Sequence, residues 1–174
     1  MKLPLLLIVG ALLLFAAGEH SNRRAPGFSI SDTRFEQHDL QDYRGKIVLI
    51  DFMQTTCPVC GTLADSLAEL QSRFGNKIAV VSIVTLPDSF DTVDRFAAAH
   101  KAKWPILFDS GQVMMSYLQM KPTGNMNVHF PHVFLVDGAG MIRNDIGGED
   151  PSALSVGALS REIDRLLTVI AVPR

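Results

Sequence analysis

The pair Cys57 and Cys60 constrains the fold of this chain more than any other feature, since the sequence has no other cysteine. It follows an apolar run at 47–53 and precedes a stretch with helical periodicity. Two thiols three positions apart lie on one face of a helical turn, where they can form a disulfide or share a metal ion. At a helix start, unpaired N–H groups and the helix dipole favour the thiolate of the first cysteine. The sequence therefore predicts a strand, a reactive dithiol and a helix in immediate succession.

The composition indicates one domain with no nucleic-acid partner. A chain of 174 residues is long enough for one substantial core and too short for two comfortable domains. Charged residues make up 20% of it, the formal net charge is −2, and no long basic run occurs. Two cysteines cannot hold a disulfide-dense fold together, so the core must do so and the pair is free for chemistry.

The amino terminus has the pattern of a targeting segment. Lys2 supplies a positive charge, residues 3–18 carry none, and the small residues Ala16, Ala17 and Gly18 suit a signal peptidase. The apolar run is shorter than the roughly 20 residues that a membrane-spanning helix needs. We expect residues 1–18 to be a signal peptide, with an uncleaved membrane anchor as the alternative. Either reading predicts a periplasmic or other extracytoplasmic domain, in a compartment where disulfides persist.

Beyond a polar linker at 19–27, the domain is predicted to cover 28–170. The apolar runs 47–53 and 78–84 are typical of strands buried on both faces, and the helix between them should make them a right-handed parallel pair. Periodicity and turn residues also predict short strands at 28–31, 35–40 and 104–108, helices at 89–101 (with Phe90, Val93, Phe96 and Ala97 inward), 112–118 and 155–170, a loop at 121–127, and a hairpin of 133–136 with 141–146.

This order of elements predicts an α/β fold of the thioredoxin-like kind. A parallel unit, an antiparallel hairpin and a closing helix give a three-layer sandwich around a central mixed sheet. The segments before residue 47 are an amino-terminal extension of that architecture.

Three stretches of the chain resemble one family: 43–52, 57–60 and 130–137. They are similar to extracytoplasmic thiol–disulfide oxidoreductases of the TlpA/ResA type, within the thioredoxin-like redoxin (AhpC/TSA) group. The resemblance implies that Cys57 is the exposed nucleophile and Cys60 the resolving thiol. It also implies that Pro131 is held in cis, facing the active site, where it presents backbone to an extended partner.

Asp51 is a further candidate catalytic residue. It lies inside the apolar strand, six residues before Cys57, where thioredoxins keep a buried carboxylate. A charged carboxylate is costly there, so we expect a raised pKa and a role as the general base that takes the proton of Cys60. The alternative is a strand-end aspartate that is solvated or bonded to backbone.

Two departures from the family pattern concern partner recognition. Thr56 stands where these proteins usually have a tryptophan before the first cysteine, which removes a flat apolar ledge beside the thiol. The loop at 121–128 also looks longer than in the simplest members. Neither change affects the two sulfurs.

The histidines beside Pro131 leave a metal-binding alternative open. The resemblance places His129 and His132 near the cysteines, where they are either ordinary polar residues at a strand start or metal ligands. Two thiolates and one imidazole suit Cu(I), so the second hypothesis is a copper-delivery protein of the SCO type using Cys57, Cys60 and His129. Against it, proteins of that type space their cysteines by three residues rather than two, and they are not expected to carry Pro131.

A peroxidase is disfavoured, because Gln54 stands where peroxiredoxins place a threonine or serine before the nucleophilic cysteine. The main hypothesis is a monomeric oxidoreductase that needs no cofactor beyond the dithiol and exchanges it with protein thiols and disulfides. A membrane electron donor is left open as a further partner. Pro58 and Val59 place no charge or imidazole between the sulfurs, which favours reduction of partners.

Overall fold

A computed structural model describes residues 18–121, 123 and 128–170. The predicted signal peptide or anchor therefore lies outside the described residues except for Gly18, as does most of the predicted loop at 121–127. In the described ranges, no helix combines the length and the apolar character needed to cross a membrane.

The described residues form strands and helices close to those predicted. The two apolar runs are strands with the predicted bounds, and the segment after the cysteines is a helix. The strands are β1 (Arg23–Arg24), β2 (Ser29–Ser31), β3 (Gln37–Asp39), β4 (Ile47–Met53), β5 (Ile78–Val84), β6 (Ile106–Phe108), β7 (His132–Val136) and β8 (Met141–Gly147). The α-helices are α1 (Pro58–Phe74), α2 (Phe90–Ala99), α3 (Gln112–Tyr117) and α4 (Val156–Ile170).

The main sheet is mixed, with the strand order β1-β8-β7-β4-β5-β6. Strands β4, β5 and β6 are parallel to one another, whereas β4–β7, β7–β8 and β8–β1 are antiparallel pairs. Strands β2 and β3 form a separate antiparallel pair. The thioredoxin-like α/β architecture predicted from the order of elements is confirmed.

Strand β4 separates two apolar clusters, because its side chains alternate between the faces of the sheet. All seven of its residues are buried. Ile47, Leu49 and Met53 belong to the cluster that contains the buried residues of α1 and α4. Val48, Ile50 and Phe52 belong to the cluster on the other face. By the same alternation Asp51 points to the α1 face, toward the cysteines.

The segment predicted as a linker is part of the sheet. Arg23 and Arg24 form β1, which pairs with Ile142 and Met141 of β8, and Ala25 is buried. Arg23 and Arg24 give no apolar signal, since the pairing is made by backbone groups. The prediction from hydropathy therefore missed this edge strand.

Phe90 does not point inward as predicted. It is the first residue of α2, which Ser89 caps, and 42% of its surface is exposed. Its ring packs edge-on against Phe35 and Phe108 at the surface, with centroid separations of 5.4 and 4.8 Å. Val93 and Phe96, one and two turns further on, are buried as predicted.

Candidate active site

The cysteine pair lies at the amino terminus of α1, directly after the short turn that leaves β4. Cys57 is the N-cap residue, and the first helical position is Pro58, where proline loses no hydrogen bond. The Cys57 sulfur accepts a hydrogen bond from the Cys60 N–H at 3.3 Å. Cys57 is half-buried, Cys60 is fully buried, and both are free thiols. A negative sulfur at Cys57 is thus stabilised by a backbone donor and by the positive end of the helix dipole.

Cys60 is held in its protonated form. Burial, followed by the contact with the Cys57 side chain and the negative charge of Asp51, holds the pKa of the Cys60 thiol far above its ordinary value. A buried thiol with a raised pKa next to a half-exposed thiol is the arrangement that a resolving and a nucleophilic cysteine require. To act as a nucleophile, Cys60 must first give its proton to a neighbouring group.

Asp51 is available to take that proton. Its side chain is completely buried, and burial raises the pKa of the carboxyl to about 7. Oδ2 accepts a hydrogen bond from the Ser82 hydroxyl at 3.2 Å, whereas Oδ1 has no hydrogen-bond partner among the described residues. A carboxyl that titrates near neutral pH and has one oxygen free can act as a general base.

The turn before β7 completes the site from the opposite side. The Phe130–Pro131 peptide bond is cis, as the resemblance implies, and Pro131 is buried. The Phe130 carbonyl faces the nucleophile, since the Cys57 thiol donates to its oxygen at 3.7 Å. The structure thus brings Cys57, Cys60, Asp51 and the Phe130–Pro131 turn together.

Gly148 supports this turn and was not found from the sequence. A Cβ atom at this position would lie 2.5 Å from the Phe130 carbonyl oxygen and 3.1 Å from Pro131 Cδ. Only glycine therefore lets the segment after β8 approach the turn so closely. The Gly147–Gly148 pair at the end of a predicted strand was the signal that could have found it.

Asp88 supports the cysteine turn and also escaped the sequence analysis. Its Oδ2 accepts from the Thr55 N–H at 3.1 Å, and its Oδ1 accepts from the Thr55 hydroxyl and, at 3.0 Å, from the Thr92 hydroxyl. Asp88 is buried and follows a second cis bond, Leu86–Pro87. The hydrogen bonds of its carboxylate tie the turn before Cys57 to the first turn of α2.

His132 does not lie with the cysteines, contrary to the expectation from the resemblance. It shares a face of β7 with Phe134, on which its ring stacks at 4.9 Å, and that face belongs to the second apolar cluster. Its Nε2 lies 3.4 Å from Asp145 Oδ2. Because side chains alternate along a strand, the face of β7 that meets the cysteine side carries Val133 instead.

The described residues do not gather the copper ligands of the alternative hypothesis. His129 is exposed, and it does not form a close group with Cys57 and Cys60. A group of metal-binding side chains in the described part of the chain is Asp32, Glu36 and His38, whose ligand atoms lie within 4.8 Å of one another. These residues belong to the β2–β3 hairpin and its connection. No observation favours the copper alternative.

A family model and two sequence relatives match the chain over the region that contains this site. The model of the AhpC/TSA family matches residues 21–145. The thioredoxin-like protein YneN of Bacillus subtilis is 29% identical over 129 residues, which are 73% of this chain and 71% of YneN. The thiol–disulfide oxidoreductase ResA of Geobacillus kaustophilus is 27% identical over 124 residues, 71% of this chain and 67% of that protein.

Solved structures show the same fold. A thiol:disulfide interchange protein of the thioredoxin family from Chlorobium tepidum aligns with a TM-score of 0.70. The alignment covers 83% of this chain and 96% of that one, at 18% identity. The resemblance to the TlpA/ResA group and the thioredoxin-like fold are therefore confirmed.

Proposed function

This chain belongs to the AhpC/TSA family and has the thioredoxin fold of a thiol–disulfide oxidoreductase; we propose that it acts outside the cytoplasm on protein disulfides and reduces them. One observation carries the proposal: a half-exposed Cys57 caps α1 beside a buried Cys60 that is close enough to Asp51 to feel its charge. A thiolate, a second thiol and a base are the groups that disulfide exchange requires.

In the first step, the Cys57 thiolate attacks one sulfur of the partner disulfide. A bond forms between Cys57 and that sulfur while the S–S bond of the partner breaks, and the second partner sulfur leaves as a thiolate that water protonates. The Cys60 N–H and the α1 dipole stabilise the attacking sulfur. The backbone at Phe130 and Pro131 lies beside Cys57, where an extended partner segment can pair with it.

In the second step, Cys60 resolves the mixed disulfide. Its proton passes to Oδ1 of Asp51, and the resulting thiolate attacks the Cys57 sulfur. A Cys57–Cys60 disulfide forms, the bond between Cys57 and the partner breaks, and the partner sulfur leaves as a thiolate. The dithiol has then given two electrons to the partner, so no separate cofactor is needed, and a reductant must restore the dithiol before the next cycle.

The extracytoplasmic location rests on the sequence pattern of residues 1–18. A positively charged start, an apolar run and small residues near 16–18 are typical of export. Outside the cytoplasm, protein disulfides are the abundant substrates for a dithiol. A membrane electron donor would supply the electrons for the next cycle.

The reducing direction rests on the residues between the sulfurs. Pro58 and Val59 carry no charge and no imidazole, so they give the Cys57 thiolate none of the extra stabilisation that makes a dithiol a strong oxidant. Equilibration with glutathione should therefore give a reduction potential nearer to about −270 mV, as in thioredoxin, than to about −120 mV, as in a strong periplasmic oxidant. A reduction potential near that of the strong oxidant would mean that the protein oxidises its partners instead of reducing them.

The division of labour between the sulfurs is tested with two single substitutions. Cys60→Ser leaves Cys57 able to attack but removes the resolving thiol, so covalent complexes with partner proteins should accumulate on non-reducing gels. Cys57→Ser should abolish exchange and trap nothing, because Cys60 is fully buried.

Insulin reduction by the unsubstituted protein is the companion assay, and the double substitution is its control. Complexes trapped by Cys57→Ser instead of Cys60→Ser would reverse the assignment of the nucleophile. If the native dithiol failed to reduce any protein disulfide, the proposed activity itself would be overturned.

A further inference from the structure

A hydrogen-bonded chain of three buried side chains ends on the proposed base. The Trp104 indole N–H donates to the Ser82 hydroxyl oxygen at 2.9 Å, and the Ser82 hydroxyl donates to Asp51 Oδ2 at 3.2 Å. Asp51 and Ser82 are completely buried, and 6% of Trp104 is exposed. The chain links β4, β5 and the segment before β6, and the exchange steps described above make no use of Ser82 or Trp104.

Trp104 determines which way the Ser82 hydroxyl points. A serine hydroxyl has one hydrogen to donate, and an indole N–H can only donate. Once Trp104 occupies a lone pair of the Ser82 oxygen, the hydroxyl hydrogen is left for Asp51. The bond to Asp51 is therefore a donated bond in one fixed direction, which stabilises the carboxylate more than the neutral carboxyl.

The backbone holds both donors in register with Asp51. Ser82 is paired with Asp51 across the parallel β4–β5 ladder and with Ile106 across the β5–β6 ladder. Its N–H donates at 3.1 Å to the carbonyl of Pro105, the residue after Trp104. The serine and the indole are thus fixed to the same strand edge, so the chain needs no rearrangement to form.

Few other titratable or polar groups face Asp51 among the described residues. From α1 it faces the titratable thiol of Cys60, whereas β7 places the apolar Val133 at the position paired with it. On the β5 side it meets Ser82. Among the described residues, the Ser82 hydrogen bond is the influence that lowers the pKa of Asp51 against the effect of burial.

We propose that Ser82 and Trp104 are positioning residues of the resolving step, which hold Asp51 by Oδ2 and keep Oδ1 free for the proton of Cys60. The inference rests on the proposed function in giving Asp51 the role of base. It goes further in assigning the strength of that base to two residues that do not touch the sulfurs.

The kinetic test follows the pH dependence of resolution, measured as single-turnover release of a preformed mixed disulfide. In Ser82→Ala the acidic limb of the pH–rate profile should move to higher pH by about 1 unit. This shift corresponds to the loss of one hydrogen bond to a charged group, here the Asp51 carboxylate. Trp104→Phe should shift the acidic limb in the same direction by a smaller amount. Ser82→Thr keeps the hydroxyl, so its acidic limb should lie where that of the unsubstituted protein lies. In an Asp51→Asn background, Ser82→Ala should shift nothing.

The spectroscopic test uses Trp104, the single tryptophan of the chain, in the reduced protein. Its fluorescence should titrate with a midpoint near 7, following Asp51. The titration should disappear in Asp51→Asn and lose most of its amplitude in Ser82→Ala, with Ser82→Thr as the conservative control. Unfolding curves of each variant verify that the fold is intact.

The two readouts separate this inference from the proposed function. A titration of Trp104 that depends on Ser82, in a protein without disulfide exchange, would uphold the chain of hydrogen bonds and overturn the oxidoreductase. Exchange that resolves with the native pH profile in Ser82→Ala would overturn the positioning role while the oxidoreductase stands.

Discussion

At the scale of single residues, burial makes Asp51 costly to the fold and also suits it to the proposed role of base. Burial penalises its charged form and thereby raises its pKa to about 7, where it can accept a proton at physiological pH. A residue retained only for stability would be better replaced by a neutral side chain of the same shape.

We therefore predict that the free energy of unfolding falls between about pH 4 and pH 7 through Asp51. The folded state holds the Asp51 proton more tightly than the unfolded chain, since folding raises this pKa from 3.8. The contribution is full below the unfolded pKa and is lost as the pH rises through 7. The size of the pKa shift limits this change in the free energy of unfolding to about 4 kcal/mol.

The variant Asp51→Asn measures this contribution of Asp51 to the free energy of unfolding. The difference in unfolding free energy between Asp51→Asn and the unsubstituted protein should grow from pH 4 to pH 7 in favour of the variant and stay constant above about pH 8. Denaturant unfolding of the reduced proteins across this range gives the answer. A difference that does not change with pH would mean that Asp51 titrates like an exposed carboxyl.

The sequence placed some residues of the site and could not place others. Cys57, Cys60, Asp51 and Pro131 are visible because spacing along one strand and one helix start, or a motif, marks them. Ser82, Asp88 and Gly148 act through contacts between distant segments; Asp88 and Thr55, for example, are 33 residues apart. The contacts of Ser82 and Asp88 leave no local periodicity or turn signal, whereas the Gly147–Gly148 pair did mark the position of Gly148.

At the scale of elements, the difference between β4 and β1 shows what hydropathy can predict. The bounds of β4 and β5 follow from the sequence, because strands covered on both faces need continuous apolar runs. The edge strand β1 needs only backbone pairing, so its composition is unconstrained. The link between α2 and the cysteine turn left no signal in the sequence either, since it is made by hydrogen bonds of the Asp88 side chain to Thr55 and Thr92.

Asp88→Ala should destabilise the protein and slow attack by Cys57. The substitution leaves the Thr55 N–H and the Thr55 hydroxyl without their acceptor, at a cost of about 1–3 kcal/mol, whereas the Thr92 hydroxyl keeps the Ser89 carbonyl as an acceptor. The turn that carries Cys57 is then no longer tied to α2, so the rate of mixed-disulfide formation should fall as well. Unfolding midpoints and stopped-flow reaction with a model disulfide measure the two effects.

Asp94→Ala is the matched control, because Asp94 is an exposed carboxylate on α2, the helix to which Asp88 ties the cysteine turn. It should change neither stability nor rate beyond about 0.5 kcal/mol. If Asp88→Ala lowered stability but left the attack rate unchanged, Asp88 would support the fold without positioning the cysteine turn.

At the scale of the whole molecule, the amino-terminal extension closes one edge of the sheet. The N–H groups of Asn22 and Ala25 donate to the carbonyls of Ile142 and Gly140, both at 2.9 Å. Asp145 accepts from the His20 N–H and the Ser21 hydroxyl at 2.9 and 3.0 Å. Hydrogen bonds donated to the Asp145 side chain and to the backbone carbonyls of Gly140 and Ile142 therefore fasten residues 20–25 to the domain.

A chain that begins at Phe28 should therefore be less stable than one that begins at Glu19. The shorter chain loses four of these hydrogen bonds, each worth about 1 kcal/mol, and the burial of Ala25. It also exposes β8 as an unprotected sheet edge, which favours association between chains. We expect a loss of about 2–4 kcal/mol in denaturant unfolding and an increase in the oligomeric fraction on size-exclusion chromatography.

The chain that begins at Glu19 is the control and corresponds to cleavage after Gly18, at the small residues expected to suit a signal peptidase. It keeps β1 and the contacts of residues 20–25 with the domain, so its stability is the reference for the shorter chain. Equal stability of the chains beginning at 19 and 28 would show that residues 19–27 are the linker predicted from composition, with β1 contributing nothing. A large difference would place the boundary of the folded domain before β1, because the stability of the domain would then depend on the pairing of β1 with β8 at this edge of the sheet.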